Sequence, residues 1–181
     1  MDPAPDRPDV VYECFAPFAH VPGRYEWCRI RSPTHGVFDT FIVLGASTAA
    51  PATVYVRDDA GAAFLRDRFP ECSAIRVGAD DLRIEESADH RVVQGVLRAG
   101  EGPLRQARMR LAAREDALPR QAPYGGDGRP VWGSRFTCWG VDLALDAQAD
   151  GAVVHEDGRE ERLAGAPAVV TLGSFGRIAP R

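Results

Sequence analysis

Two apolar stretches decide the expected fold: residues 25–31 have the sequence YEWCRIR, and residues 37–44 have the sequence VFDTFIVL. Between them, residues 32–36 have the sequence SPTHG, which consists of residues that favour turns. Two β-prone stretches joined by a loop of about five residues are typical of a β-hairpin. We therefore expect this region to form two antiparallel strands.

The rest of the chain consists of short apolar runs separated by Gly, Pro or Asp at intervals of roughly eight to twelve residues. This spacing favours an all-β sandwich or barrel over alternating strands and helices. Residues 62–69 fit a strand or a short helix, and we favour a strand. Further strands are predicted at residues 53–57, 74–77, 82–85, 92–98, 104–113, 134–146, 153–154, 160–163 and 168–172.

Closing a sheet on itself removes exposed strand edges, so we predict one antiparallel β-barrel of about 8–10 strands with little helix. The barrel domain is expected over residues 11–181, after a flexible, proline-rich arm at residues 1–10. Residues 115–131 contain several prolines and a Gly-Gly pair, which indicates a long loop of the kind that forms lids. A barrel of this size has an interior that holds one small ligand.

The composition narrows the function classes. The chain has 181 residues, of which 45% are hydrophobic and 27% charged, as in an ordinary globular domain. A net charge of −4 and scattered arginines argue against nucleic-acid binding. All 22 basic residues are Arg, so a lysine Schiff base and a phosphate-loop lysine are excluded. The sequence contains no apolar run long enough to span a membrane and no signal-peptide pattern, so we expect a cytoplasmic protein.

No metal or cofactor site is predicted. The four cysteines form no C-x-x-C pair, and no histidine completes a zinc site with them. His35 and His155 adjoin turns, and we expect the histidines of this chain to be exposed. His20 is the histidine for which a functional role is hardest to dismiss. No Ser/His/Asp order is recognisable, and the G-x-x-G at residues 173–176 is interpreted as a strand-end turn.

Several short motifs occur in a characteristic order along residues 20–145. They are PGRYEW (22–27), THG (34–36), FIVLGAS (41–47), TVYVR (53–57), IRVGADDL (75–82), VQGVL (93–97) and Trp132. In sequence and order these motifs resemble the carotenoid 1,2-hydratase (hydroxyneurosporene synthase) type of lipocalin-like proteins. The resemblance implies a lipocalin-like barrel and a hydrophobic substrate.

Two departures from the family pattern shift the expected chemistry. Cys28 stands where the family has a second aromatic residue, and residues 29–31 (RIR) replace a following aspartate. Family members usually have two barrel halves, whereas this chain has length for one. The family also includes cyclases that fold a polyene for an intramolecular [4+2] reaction, and small single-barrel cyclases act on polyketides. The resemblance therefore implies a one-barrel natural-product cyclase rather than a carotenoid hydratase.

Three side chains are candidate catalytic groups. Strand alternation places Glu26 on one face with Cys28, and if that face lines the barrel, burial would raise the pKa of Glu26 and make it a general acid. Its alternative is a surface or ion-paired glutamate. Tyr55 and Arg135 are candidate hydrogen-bond donors that polarise a carbonyl, and a solvent-facing Arg135 is the alternative.

A second group of side chains is predicted to bind the substrate. Aromatic residues form a wall that stacks against a flat, unsaturated ligand, and an arginine holds a polar end of it. Ordinary core packing is the alternative for the aromatic residues. The predicted binding residues are Trp27, Arg29, Phe41, Trp132 and Trp139.

Four functions remain open from the sequence. The first is a cofactor-independent cyclase or isomerase that acts on a hydrophobic polyene or polyketide. The second is a hydratase or dehydratase in the same barrel, and the third is a lipocalin-like carrier of a hydrophobic molecule. The fourth is a barrel filled by its own side chains that serves only in protein interaction. The expected partner is a hydrophobic small molecule rather than nucleic acid or membrane, and a homodimer is a further expectation.

Overall fold

The computed structural model describes residues 11–45, 52–68, 73–121, 130–131, 134–139, 143–172 and 175–178. These residues form fourteen strands and one helix, so the all-β expectation is confirmed. The elements are β1 Val11–Val21, β2 Tyr25–Ser32, β3 Gly36–Val43, β4 Ala52–Tyr55, α1 Asp59–Arg68, β5 Ser73–Arg76, β6 Asp81–Glu86, β7 Val92–Arg98, β8 Leu104–Ala113, β9 Arg120–Gln121, β10 Pro130–Val131, β11 Ser134–Trp139, β12 Leu143–His155, β13 Glu160–Thr171 and β14 Phe175–Ile178.

One curled sheet contains ten strands in the order β5-β4-β3-β2-β1-β13-β12-β8-β7-β6. A branch continues from β1 to β14, β11 and β10, and β9 pairs with β12. The main-path pairs are antiparallel except for β4 and β5, which are parallel. Within the described residues, no helix combines the length and apolarity needed to cross a bilayer.

The two hairpins with clear turn signals are confirmed. Strands β2 and β3 pair in register from Tyr25 opposite Val43 to Ser32 opposite Gly36. Strands β12 and β13 pair around a turn in which Gly158 adopts a φ of 85°, a conformation that glycine adopts without steric cost. The separately predicted strands 160–163 and 168–172 merge into the single strand β13, which ends at Thr171.

The strand predicted at residues 62–69 is wrong, because residues 62–68 belong to helix α1. The Asp58 side chain accepts a hydrogen bond from the Gly61 amide at 3.2 Å, which caps the first turn. Phe64 and Leu65 then face the sheet and are buried. A helix is needed here because β4 and β5 are parallel, and parallel neighbours require a long crossover connection.

The single strand predicted at residues 134–146 is also wrong. Strand β11 pairs with β14, whereas β12 pairs with β8, β9 and β13, so the two strands have different neighbours. Residues 140–142 lie outside the described part of the chain. The predicted loop at 115–131 contains the short strands β9 and β10. Its residues 122–129 lie outside the described part of the chain, as does the arm at residues 1–10.

Both faces of strand β2 are buried, which alternation alone would not require. Trp27 lies in the core enclosed by the curled sheet, together with Phe41, Leu97 and Met109. Cys28 and Ile30, on the opposite face, belong to a second core beneath α1, which also contains Ile42, Val54, Phe64 and Leu65. The helix therefore supplies the apolar cover that the outer face of β2, β3 and β4 needs.

The interior around Trp27 is filled by side chains. The Trp27 and Phe41 rings meet edge to face with centroids 4.2 Å apart, and both residues are fully buried. Strand β7 carries Gly95 opposite the indole, and a Cβ atom there would lie 2.4 Å from Trp27 Cζ3. The indole N–H of Trp27 has no hydrogen-bond partner among the described residues, so packing has to offset the cost of its burial.

Strand β6, at the end of the sheet, is joined to the region of β2, β3 and β4 by side chains rather than by a further strand. Arg29 Nη2 donates to the Ile84 carbonyl at 2.7 Å, and the Ile84 amide donates to Asp39 Oδ2 at 3.0 Å. Arg57 Nη2 donates to the Leu82 carbonyl at 2.7 Å. These bonds satisfy main-chain groups on the free edge of β6, and we call this region the β6 seam.

Replacing Gly95 with Ala tests the packing against Trp27. We expect Gly95→Ala to lower the free energy of unfolding by about 3 kcal/mol, because the added methyl overlaps the indole. A second change, Trp27→Phe, should recover part of that loss in a double-mutant cycle measured by urea denaturation. Gly100→Ala is the matched control, since a Cβ atom there would meet no atom within 4 Å. Additive losses in the double mutant would contradict the contact.

Replacing Asp39 with Ala tests the β6 seam. The change removes the acceptor for the Ile84 amide and for Arg29, so we expect a loss of about 2–3 kcal/mol in stability. Hydrogen exchange at the Ile84 amide should become faster at the same time. Asp81→Ala, which breaks the exposed pair with Arg83, should cost less than about 1 kcal/mol. Unchanged exchange at Ile84 in Asp39→Ala would show that the seam does not hold β6.

Candidate functional site

A cluster of polar side chains lies at one end of the curled sheet. Tyr25 begins β2, His155 ends β12, and Glu161 is the second residue of β13. Alternation places each on the inner face, in phase with the buried residues Trp27, Val153 and Leu163 respectively. The turns before β2 and between β12 and β13 bring these three strand ends together.

One carboxylate connects the members of this cluster. Tyr25 Oη donates a hydrogen bond to Glu161 Oε2 at 2.8 Å, and His155 Nε2 lies 3.1 Å from the same oxygen. Arg24 forms an ion pair with Glu161 Oε1. The side chains of His155 and Glu161 are 19% and 17% exposed, so the site is partly shielded but reachable by solvent. We call Arg24, Tyr25, His155 and Glu161 the Glu161 cluster.

The environment sets the protonation state of each group. Burial raises the pKa of Tyr25, so the phenol is protonated at neutral pH. Burial also lowers the pKa of His155, and the positive charges of Arg159 and Arg24 lower it further against an opposing effect of Asp157. His155 is therefore neutral at pH 7, while contacts from Tyr25, His155 and Arg24 favour an ionised Glu161.

This arrangement leaves a base available on His155. An ionised carboxylate only accepts hydrogen bonds, so His155 Nε2 carries the proton and Nδ1 keeps its lone pair. Among the described residues, no hydrogen bond engages Nδ1. Glu161 can stabilise the imidazolium that forms when Nδ1 takes a proton, as the carboxylate does in a hydrolase triad. The cluster is thus equipped for general acid–base chemistry.

Aromatic rings extend from the cluster into the core. The ring of Tyr25 stacks on Phe41 with centroids 5.9 Å apart, and Phe41 lies 6.3 Å from Tyr55. The polar cluster therefore sits at the outer end of an apolar, aromatic column. These rings are buried, so the column fixes the position of Tyr25 within the cluster by packing.

Glu26 shares a face with Cys28, as alternation predicts, but that face does not line the barrel interior. Its cross-strand neighbour Ile42 belongs to the core beneath α1, whereas Tyr25 and Trp27 face inward. Glu26 is 4% exposed and lies directly opposite His20, which is 3% exposed. The alternative of a surface glutamate is therefore wrong, and so is the placement of Glu26 in the interior.

Tyr55 serves as an anchor between two strands. Its hydroxyl donates to the Leu104 carbonyl at 3.3 Å and accepts from the Leu104 amide at 2.9 Å. Both hydrogen-bonding functions of the phenol are thus engaged by the main chain of β8. This engagement does not support the predicted role of Tyr55 as a donor to substrate, because a ligand would have to displace the strand.

Of the predicted binding residues, two pack in the core, one forms an ion pair, and the side chains of the rest are not described. Trp27 and Phe41 fill the core, and the described residues leave no space for a ligand between Trp27 and Gly95. Arg29 faces the β6 seam, where it pairs with Asp39 at 2.8 Å. The backbones of Arg135 and Trp139 belong to β11, but these two side chains and the whole of Trp132 lie outside the description, so their roles stay predictions.

The sequence analysis missed His155 and Glu161. The expected exposure is wrong for His20, which is buried, and for His35 and His155, whose side chains are 18% and 19% exposed. It is confirmed for His90, whose side chain is 59% exposed. Alternation from Val153 and Leu163 would have placed His155 and Glu161 on the inner face. The long-range order of β2, β1, β13 and β12 was needed to bring them to Tyr25. No group of three or more metal-ligating His, Cys, Asp or Glu side chains occurs within the described ranges.

Comparison with known proteins finds little. No protein-family model and no curated protein matches the chain. An acetoacetate decarboxylase from Legionella pneumophila is 12% identical with a TM-score of 0.35, over 93% of this chain and 83% of that one. A second acetoacetate decarboxylase structure is 11% identical with a TM-score of 0.37, over 97% of this chain and 88% of that one. Similarities at this level establish neither a common fold nor a shared activity.

The burial of His20 predicts an acid-sensitive fold. Burial lowers its pKa from 6.5 to about 4, and the charge of Arg120 acts in the same direction. The unfolded chain therefore binds more protons than the folded one between these values, so stability falls as pH drops from 6.5 towards 4, by about 3 kcal/mol in all. His20→Gln should flatten this slope in urea titrations repeated across that range. The exposed His90→Gln is the control, and an equal effect of both changes would contradict the assignment.

Proposed function

We propose that this protein is a cofactor-independent isomerase or cyclase that acts on a hydrophobic, unsaturated small molecule at the Glu161 cluster. The observation that carries the proposal is the single oxygen of Glu161 that holds both the Tyr25 phenol and the His155 imidazole. A neutral imidazole oriented by a carboxylate is a proton acceptor at pH 7. The family resemblance of residues 22–27 and the later motifs supports a hydrophobic substrate.

The proposed reaction conserves the protons of its substrate. His155 Nδ1 removes a proton from a carbon next to a carbonyl, and Glu161 stabilises the imidazolium. Arg24, which is 44% exposed, donates to the oxygen of the enolate that forms. The imidazolium then returns the proton to another carbon, which shifts a double bond and leaves the enzyme unchanged. Neither a co-reactant nor a redox step is required.

We propose, more specifically, that the enolised substrate then cyclises. An enolised polyene contains a new conjugated diene, and holding such a chain in a folded conformation brings the diene to a second double bond. The product would be an intramolecular [4+2] adduct of a polyene or polyketide intermediate in natural-product biosynthesis. The resemblance of residues 22–27 and the later motifs to a family that includes such cyclases supports this form.

Hydration of a double bond is the second candidate, and the accessibility of the cluster favours it. Because His155 and Glu161 remain partly exposed, a water molecule can reach the base. A non-catalytic carrier is supported less, because the core around Trp27 is filled by side chains rather than open. The three functions predict different products from the same incubation.

The test is incubation with a panel of polyene β-keto esters in deuterated water, followed by mass spectrometry and NMR. Isomerisation shifts a double bond and cyclisation lowers the number of double bonds, each with deuterium at the carbon that is reprotonated, whereas hydration adds one molecule of deuterated water. We expect His155→Gln to lower kcat/KM by about 10²–10⁴-fold, because it removes the base but keeps an amide near Glu161. Tyr25→Phe and Glu161→Gln should lower it as well.

Glu160→Gln is the matched control for these variants. Glu160 is the neighbour of Glu161 on β13, but its side chain is 47% exposed and pairs with Arg162 on the outer face. This variant should keep wild-type activity. Turnover that survives in His155→Gln would overturn the proposed base, and tight binding without any conversion across the panel would make the protein a carrier.

A further inference from the structure

A cavity of about 250 Å³ opens at the β6 seam, away from the Glu161 cluster. It lies between the first half of β3, the edge of β6 and the segment that leads into α1. Arg29 follows Tyr25 by four residues along β2, which corresponds to roughly 13 Å. The residues that determine its chemistry are Arg29, Val37, Phe38, Asp39, Arg57 and Leu82.

The acidic groups of this cavity are already engaged. Asp39 accepts two hydrogen bonds from Arg29, at 2.8 and 3.2 Å, and a third from the Ile84 amide. Asp58, which also lines the cavity, accepts from the Gly61 amide in the first turn of α1. Arg29 is likewise occupied, because it forms the ion pair with Asp39 and donates to the Ile84 carbonyl.

Among the described residues, Arg57 is the cation of this cavity that has no carboxylate partner. Its described hydrogen bond uses Nη2, which donates to the Leu82 carbonyl at 2.7 Å. That bond holds the guanidinium at the seam, while Nε and Nη1 have no partner among the described residues. A guanidinium held in place in this way, with N–H groups still free on Nε and Nη1, is suited to donate a charge-assisted hydrogen bond to a carboxylate.

The remaining wall of the cavity is apolar. Val37 is 64% exposed, which is unusual for a large hydrophobic residue of a strand in this protein. Phe38 and Leu82 line the cavity beside it. A ligand with a short hydrocarbon chain would cover Val37 and remove this apolar surface from water. The volume is below the range of about 300–1,000 Å³ that drug-sized ligands occupy, so the ligand is small.

We propose that the cavity at the β6 seam binds a small aliphatic monocarboxylate. The carboxylate pairs with Arg57, and the hydrocarbon chain lies against Val37, Phe38 and Leu82. Binding adds a negative charge beside a guanidinium that already bonds to β6, so the ligand stabilises the seam as well as filling it. This site is separate from the Glu161 cluster and holds whether or not the proposed acid–base reaction occurs.

Calorimetry and amide NMR with sodium hexanoate test the proposal, with 1-hexanol as the uncharged probe of equal chain length. Hexanoate should bind about tenfold more tightly than 1-hexanol, and shift changes should appear at residues 37–39 and 82–84. Arg57→Gln should weaken hexanoate about tenfold, because it removes the positive charge that pairs with the carboxylate. Arg66→Gln, on the exposed part of α1, is the matched control and should bind hexanoate like the wild type.

A second variant tests the same site without altering the seam. Val37→Glu places a competing carboxylate at the cavity and should abolish hexanoate binding. Val37 is exposed and belongs to neither core, so replacing it leaves both cores intact. Equal binding of hexanoate and 1-hexanol, or an unchanged affinity in Arg57→Gln, would overturn the carboxylate assignment. An absence of shift changes at the seam in the wild type would overturn the site itself, and inorganic phosphate that binds as well as hexanoate would show a general anion site instead.

Discussion

The hydrogen bonds of Arg29, Asp39 and Arg57 with the main chain of β6 set the shape on which the rest of the structure depends. A sheet that began at β5 and ended at β6 would otherwise leave unpaired main-chain groups at the edge of β6. Side chains from the opposite half of the sheet satisfy these groups in place of a neighbouring strand. The sheet therefore curls, and its inner face becomes an enclosed core.

The enclosed core imposes close packing where the two halves of the sheet meet. Trp27 reaches across from β2, and β7 has no side chain at Gly95, so the indole fits against the opposing main chain. Because this contact fills the interior of the curled sheet, polar side chains are found at the end of the sheet instead. The Glu161 cluster lies there because the charged side chains keep contact with water while the Tyr25 ring packs on Phe41.

The two proposed sites share one feature, a polar side chain that is oriented by some of its hydrogen-bonding groups and keeps others available. At the Glu161 cluster, a carboxylate accepts from Tyr25 and His155 and leaves one imidazole nitrogen unbonded. At the β6 seam, the guanidinium of Arg57 donates to a carbonyl and leaves its other N–H groups unbonded. In both places one set of hydrogen bonds fixes the orientation of a polar side chain, and the remaining groups are positioned for a ligand.

The sequence by itself determined the β class, the hairpin of β2 and β3, the hairpin at Gly158 and the alternation that separates Trp27 from Glu26. These features depend on turn residues and on a period of two, both of which act over a few neighbouring residues. Only the tertiary structure decided that residues 59–68 are helical, because the parallel pairing of β4 and β5 requires a crossover. It also decided that Glu26 lies on the face of the sheet away from the inner core. His155, Glu161 and Tyr25 meet only in the tertiary structure, because strand order joins residues more than a hundred positions apart in the chain.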